Sequence, residues 1–415
     1  MKISVVTLGS RGDVEPFVAL ALGLKAAGHD VTVGTGSDFE TFVAGRGLAF
    51  KPVGGDMQKA LSTPEGKALF KTKNPIAFVR RLRAAAAPIL ATMQDDILAA
   101  VTGADACVFS YLCGPAVDVH EATGLPAFMG LLQPLVPTRA FPIAAVPVPT
   151  LGPFNRISYD LFNLIMIAFF GGIGNRWRRE RFGLPPMRSV RRLERLRLPQ
   201  LCAVSPTVIP RPADWPDYAH MTGYWFLPAD AGWQPPAELA AFLADGEPPV
   251  TVGFGSMIDD DPAALARTVE EALSLCGRRA VLVGGWGGLK SGSDRCLCVD
   301  SVPYEWLYPR VVAAVHHGGA GTTSVALRAG TPQVVVPFFG DQPWWGRLVQ
   351  RIGAGPAPIA RAKLTAPALA AAITAATTDD SIRRRAAEIG EAIRKEDGVR
   401  RAVEIIESRP GHDAP

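Results

Sequence analysis

The run His316-His317-Gly318-Gly319-Ala320-Gly321-Thr322 carries the groups best suited to gripping an anion. The short apolar stretch before it, Val311 to Val315, reads as a fully buried strand of a parallel sheet, and a helix is expected from near Thr322 to Arg328. With side chains nearly absent from the turn, backbone N–H groups can approach a ligand closely. The helix aims its positive end at the same point, which makes an anion site, phosphate most naturally. Glycine-rich strand-to-helix turns that bind nothing are also common. The histidine pair favours a ligand, because neighbouring strand residues face opposite ways and at least one imidazole reaches the crevice. The second chemical group is Asp13, in the loop Gly9-Ser10-Arg11-Gly12-Asp13 after the apolar run Ile3 to Leu8. Open α/β sheets place ligands at such a loop, and a carboxylate there can take an alcohol's proton as a new bond forms. Its structural alternative is a favourable interaction with the helix that Pro16 is expected to open.

Two copies of one grammar position these groups. Ile3 to Leu8, the helix from Pro16 to Ala27 and Asp30 to Thr35 form a βαβ unit at the start of the chain. Ala106 to Ser110, Pro126 to Leu131 and Leu201 to Val204 extend that sheet. The pattern returns with Val250 to Phe254, Gly255-Ser256 and a helix opened by Pro262; both openings read Gly-Ser, five residues, Pro. Strands near Ala280 to Val283, Leu297 to Val299 and Gln333 to Val336 follow, with helices at Pro343 to Arg351 and from Thr365 onward. The expected fold is α/β, two Rossmann-like domains facing across a cleft: residues 1–225, a Pro- and Gly-rich linker 226–249, residues 250–380, and C-terminal helices 381–415 packed outside the sheets.

A chain of 415 residues suits two domains, and 48% apolar content supplies large cores. A net charge of +4 gives no global case for nucleic acid. The six cysteines read as buried, reduced thiols of a cytosolic protein, and Cys296 and Cys298 lack the second pair that a zinc site wants. No signal-peptide core is expected, and the longest apolar run, Leu164 to Ile173, is half the length of a membrane span. Asp259-Asp260-Asp261, before Pro262, suits helix capping better than a metal ion. No metal is expected.

Two insertions, Gly54 to Leu90 and Pro134 to Leu198, are not needed to build a sheet. The second joins the apolar YDLFNLIMIAFFGGIG to an arginine-dense tract, Arg176 to Arg197. One reading is a helical excursion with a solvated basic face. The sharper one is an apolar acceptor pocket, with Phe162, Ile165 and Phe169 as lining residues, whose basic rim rests on an anionic membrane surface.

The chain resembles the glycosyltransferases of GT-B fold that use nucleotide-activated sugars, and looks closest to sterol glucosyltransferases and their bacterial relatives that glycosylate natural products. The likeness rests on Gly9 to Pro16, on SPTVIPRPADW from Ser205 to Trp215 with Thr222-Gly223-Tyr224-Trp225, on the His-Gly turn, and on Phe338-Phe339-Gly340-Asp341-Gln342-Pro343-Trp344-Trp345. It implies that His316, heading an H-x-G-x-x-G-T pattern, contacts the donor diphosphate with the N–H groups of Gly318, Gly319, Ala320, Gly321 and Thr322. Ser10, Gly255 and Ser256 would face that diphosphate, Asp341 and Gln342 the transferred sugar, and Ser301 and Val302 the nucleobase. Asp13 would be the base. The eighth residue after His316, a ribose-holding glutamate in plant relatives, is Ser324 here, which leaves uridine and thymidine donors both open. The function implied is inverting, metal-independent transfer of glucose from UDP-glucose to a bulky apolar alcohol such as a sterol. The alternative is a dTDP- or UDP-sugar-dependent transferase decorating an antibiotic or other natural product. An epimerase and a nucleotide-sugar-binding protein without turnover are the readings outside transfer. No cofactor beyond the nucleotide sugar is implied.

Overall fold

A computed structural model describes residues 1–55, 92–146, 148–189, 191–228, 232–255, 257, 259, 261–285 and 292–408, without the side chains of Phe169 and Phe170. Two parallel sheets divide the chain. The first has seven strands: β1 (Lys2–Val6), β2 (Asp30–Thr35), β3 (Ala49–Pro52), β4 (Ala106–Ser110), β5 (Ala127–Leu131), β6 (Gln200–Cys202) and β7 (Ala219–Met221), in the order β3-β2-β1-β4-β5-β6-β7. The second holds β8 (Val250–Gly253), β9 (Ala280–Val283), β10 (Cys296–Val299), β11 (Ala313–His316) and β12 (Gln333–Val335), in the order β10-β9-β8-β11-β12. Helices that matter below are α1 (Arg11–Ala26), α2 (Pro115–Thr123), α3 (Asn155–Phe182), α4 (Ala237–Ala244), α5 (Pro262–Leu275), α6 (Ala320–Ala329), α7 (Gln342–Arg351), α8 (Asp380–Arg394) and α9 (Gly398–Glu407). The central strands are buried on both faces, β4, β5, β8, β9 and β11 along their whole length. That is why they read as unbroken apolar runs.

The direction in which successive strands are added reverses between β1 and β4 in the first sheet and between β8 and β11 in the second, all strands staying parallel. Such switch points open a crevice at the carboxyl ends of the strands. The loops after β1, β8 and β11 are the three expected to do chemistry.

Four expectations change. The first helix starts at Arg11, not Pro16, because Ser10 and Asp13 form a reciprocal capping box that begins it earlier and leaves Pro16 inside. Pro262 does open its helix, with Asp261 accepting from Ala264 N as N-cap, so the two Gly-Ser-Pro runs are not in structural register. The linker is not all loop: α4 buries Leu239 in the second domain's core. The terminal helices divide, α8 packing on α6 while α9 returns to α1. There Ala402, Val403, Ile405 and Ile406 join the first domain's core. A Cβ at Gly398 would lie 2.4 Å from the carbonyl oxygens of Gly223 and Tyr224, so α9 docks only through that bare backbone. The thiols of Cys107, Cys113 and Cys202 are buried and pushed up to about 12. Cys276 and Cys296 are half-buried and Cys298 is exposed, the latter two because β10 is an edge strand.

Candidate active site

Backbone groups make the centre of the site. Helix α6 begins at Gly319 without a side-chain cap, so the N–H groups of its first turn remain open. Its N-terminus meets that of α1: a Cβ at Gly321 would come 3.8 Å from Gly12 Cα. Two positive helix ends therefore converge on one gap between the domains. The end of α1 is already neutralised by Asp13, and the end of α6 is the one left for an anion.

The two histidines divide the labour differently from the expectation. His316 is the last residue of β11 and 1% exposed. Its Nδ1 accepts the Gly318 N–H at 3.0 Å, so Nε2 carries the proton and donates to Gln333 Oε1 at 2.9 Å. Both ring nitrogens are thus engaged inside the domain, where burial and the neighbouring His317 push its pKa down to about 3. His316 fixes the turn; it does not face the gap. His317 is the imidazole between the loops after β8 and β11. A Cβ at Gly319 would fall 2.5 Å from its Nε2, and one at Gly255 would fall 3.1 Å from its Cε1. Its Nδ1 is buried without a partner, and burial lowers its pKa to about 4, so the ring is neutral near pH 7. Counted from His317, the eighth residue is Val325, again without a carboxylate.

Asp13 lies across the gap. Its Oδ2 accepts from Ser10 N at 2.8 Å and Ser10 Oγ at 2.9 Å, while its own carbonyl accepts from Thr7 Oγ1 at 3.1 Å. Gly9, at φ 130°, must be glycine, since a Cβ there would stand 2.4 Å from Asp13 Oδ2. Burial raises the Asp13 pKa and the two Ser10 bonds oppose it. The hydroxyl of Ser10, expected at the diphosphate, is held by Asp13 instead.

Asp341 comes from the other domain, just before α7. Its Oδ2 accepts from Trp345 Nε1 at 2.8 Å and from Gln133 Nε2 at 2.7 Å, the latter a bond across the cleft. Burial raises its pKa to about 6, and the charge of Asp13 adds to the rise, which places the two carboxylates within electrostatic reach. Gln342 is buried: its Oε1 accepts from Phe338 N and Phe339 N, at 2.8 and 3.2 Å, and its Nε2 meets Met257 Sδ. It shapes the loop that presents Asp341 and does not turn outward as expected.

Of the remaining expected residues, Gly255 lines the crevice beside His317, with φ 61°. Ser301 is exposed and Val302 half-buried at the carboxyl end of β10. Ser256 lies outside the described residues, as does most of the Gly54 to Leu90 insertion. Phe162 is half-buried against Tyr111, ring centroids 6.3 Å apart, at the carboxyl end of β4. Ile165 is 48% exposed on an outward stripe of α3, so it does not join Phe162, and the Phe169 side chain is not described. Gln133 and Gln333 were missed. Gln333 carried a weak signal, a polar residue opening an apolar strand; Gln133 had only its place two residues after β5. Among the described residues no three His, Cys, Asp or Glu side chains could hold a metal ion.

The raised pKa of Asp341 has a consequence for stability. Between its ordinary value of 3.8 and about 6, the folded chain keeps a proton that the unfolded chain has released. Its charge therefore destabilises the fold increasingly as pH rises through that window. Asparagine can keep both bonds, since one oxygen accepts them both. Asp341→Asn is expected to stabilise the protein by about 1–2 kcal/mol above pH 6 and by nothing below pH 4, with thermal unfolding across pH as the measurement.

Comparison with known proteins fits this geometry. Residues 3–142 match the Glycosyltransferase family 28 N-terminal domain, and residues 288–400 match the Erythromycin biosynthesis protein CIII-like, C-terminal domain. The two matches fall one on each sheet domain, and the fold is the GT-B fold of glycosyltransferases. Among individual relatives, it is 37% identical over 98% of its length to sterol 3-beta-glucosyltransferase of Cryptococcus neoformans, and 36% identical over 98% to that of Emericella nidulans. It spans 27% and 30% of those two longer proteins. These two relatives are fungal, whereas the resemblance also points to bacterial natural-product enzymes. Solved structures share the fold: the kitacinnamycin glycotransferase (TM-score 0.70, 22% identity, 98% of each chain) and the glycosyltransferase VinC in complex with dTDP (0.68, 20%, 98% of each).

Proposed function

We propose that the chain is an inverting, metal-independent glucosyltransferase that moves glucose from UDP-glucose to the hydroxyl of a bulky apolar alcohol, a sterol being the leading case. The observation that carries this reading is the opposition of Asp13 to the uncapped N-terminus of α6, with His317 and Asp341 beside it. The acceptor oxygen attacks the anomeric carbon while the bond from that carbon to the diphosphate oxygen breaks. The electron pair leaves with the nucleoside diphosphate, and the alcohol proton passes to Asp13. The α6 N–H groups and a neutral His317 stabilise the charge that grows on the leaving diphosphate, work done without a cation. Asp341 is suited to a sugar hydroxyl. One displacement inverts the centre, so an α-linked donor gives a β-glucoside. The fungal relatives' names support glucose and a sterol, and the buried free thiols of Cys107, Cys113 and Cys202 suit a cytosolic setting.

A second reading, transfer of a dTDP-linked sugar to a natural product, is favoured by the dTDP of VinC and by Val325 where a ribose-holding carboxylate was sought. One panel separates the two: a sterol and a polyketide aglycone, each with UDP-glucose and a dTDP-sugar, with and without a strong chelator. Turnover of sterol with UDP-glucose, unaffected by chelation, is the expected result. A rate restored only by Mg²⁺ overturns the metal-free reading, and turnover with dTDP-sugar alone overturns the donor. Within the panel, Phe162→Asp is expected to raise the acceptor KM about tenfold or more and leave the donor KM nearly unchanged.

A further inference from the structure

Helix α3 leaves an apolar face in water. Phe154, just before it, and Ile157, Leu161, Leu164 and Ile165 within it are 48–62% exposed. Their spacing of three, four, three and one places them on one stripe. A contiguous apolar stripe of this kind marks an interaction surface. The opposite face is committed to the domain: Asn155, Ser158 and Tyr159 are buried, Ser158 Oγ accepting from Ile143 N at 2.9 Å. Farther along, Arg178 is buried in an ion pair with Asp118 of α2.

Arginines border the stripe. Exposed Arg176, Arg179 and Arg181 lie on the last turns of α3. The chain then returns along the helix: Met187 N donates to Asn175 Oδ1 at 2.6 Å, Arg191 lies 3.8 Å from Asp160, and Arg156 bonds Glu194 at 2.7 Å. That path sets exposed Arg191 and Arg195 along the part of the helix that carries the stripe, and exposed Arg188 farther on, next to the residue bonded to Asn175. Arg176, Arg179, Arg181, Arg188 and Arg195 form no ion pair with the described residues.

We propose that this face rests on an anionic lipid bilayer, the stripe sunk to the boundary between headgroups and acyl chains and the arginines on lipid phosphates. An apolar helix face bordered by basic residues is the pattern of interfacial binding. A second copy of the chain is disfavoured as occupant, since stacking two stripes would bring two rows of unpaired arginines together. Spanning is disfavoured as well. Among the described residues no single helix is long and apolar enough to cross a membrane; the pair Gly152–Ala168 and Gly171–Phe182 is bent by 66°, and its inner face is pinned to the fold. A bilayer-resident acceptor would enter beside Phe162; that consequence rests on the functional reading above, whereas the surface does not.

Vesicle flotation of the full chain tests it, with phosphatidylcholine alone and with about a third phosphatidylserine. Binding at least about tenfold stronger to the anionic vesicles, weakened by salt, is expected. The double variant Leu161→Asp with Leu164→Asp should lose binding to both vesicles at an unchanged melting temperature, because both side chains are exposed. Arg176→Gln, Arg179→Gln and Arg188→Gln together should remove about tenfold or more of the anionic preference. Absence of vesicle binding by the unaltered chain overturns the proposal, as does full binding by the leucine variant. A dimer in solution that the leucine variant dissolves also overturns it, in favour of self-association.

Discussion

Replacing Asp13 with asparagine should lower the transfer rate about a thousandfold while donor affinity moves by less than about threefold. The substitution is unusually clean at this position. Asparagine's side-chain oxygen can accept both Ser10 bonds that Asp13 Oδ2 accepts, so the cap of α1 survives. Size and the tight passage beside Gly9 are unchanged. What disappears is the capacity to take a proton. Burial already raises the Asp13 pKa, which makes it a stronger base than an exposed aspartate, and the facing Asp341 is close enough for each charge to be felt by the other. Donor binding depends on the α6 end and His317, in the other domain, and has no need of that proton acceptor. Single-turnover rates and donor titration on the same preparation separate the two quantities. Near-normal transfer by a correctly folded variant would assign the proton to another group.

Most of the fold was legible because a parallel sheet buries its strands on both faces, and β2, β4 and β9 run between the expected ends. The misses have local causes. β3 ends in Lys51-Pro52 at the sheet's edge, and β7 has three residues, too short for any periodicity; β6, expected at Leu201 to Val204, runs Gln200–Cys202. The start of α1 was hidden because Pro16 looked like an opener, whereas the capping pair Ser10 and Asp13 set the boundary. The amphipathic pattern of α9 announced a helix but not its destination, which depends on Gly398 meeting Gly223 from the other end of the chain. Asp13 and the glycine turn could be placed at strand ends from the sequence alone, whereas Asp341 entered only with the family resemblance. Which histidine faces the gap was not: the choice depends on whether β11 ends before or after His316, and a shift of one residue exchanges the two faces.

The histidines can be told apart by what each variant loses. His317→Ala is expected to lower kcat/KM for the donor about a hundredfold, the usual scale for removing one donor to a leaving anion. Its effect on stability should be small, because a buried ring with an unpartnered Nδ1 contributes little to the fold beyond packing. His316→Ala should behave the opposite way. It leaves both the Gly318 N–H and the Gln333 carboxamide without their partner inside the domain, which costs about 2–4 kcal/mol. Its loss of activity would follow from a loosened turn, and part of it should return at low temperature or high donor concentration. Acidification adds an independent readout. Both folded pKa values, about 3 and about 4, lie below the ordinary 6.5, so the unfolded chain takes up protons that the folded chain refuses. Stability from these groups is complete above pH 6.5 and falls as pH drops towards 4. His317→Ala removes one such group and should show a shallower loss of melting temperature across that window than the unaltered chain. If His316→Ala instead has the larger effect on turnover at an unchanged melting temperature, the imidazole at the diphosphate is His316, and the tautomer assigned to it here fails with the assignment.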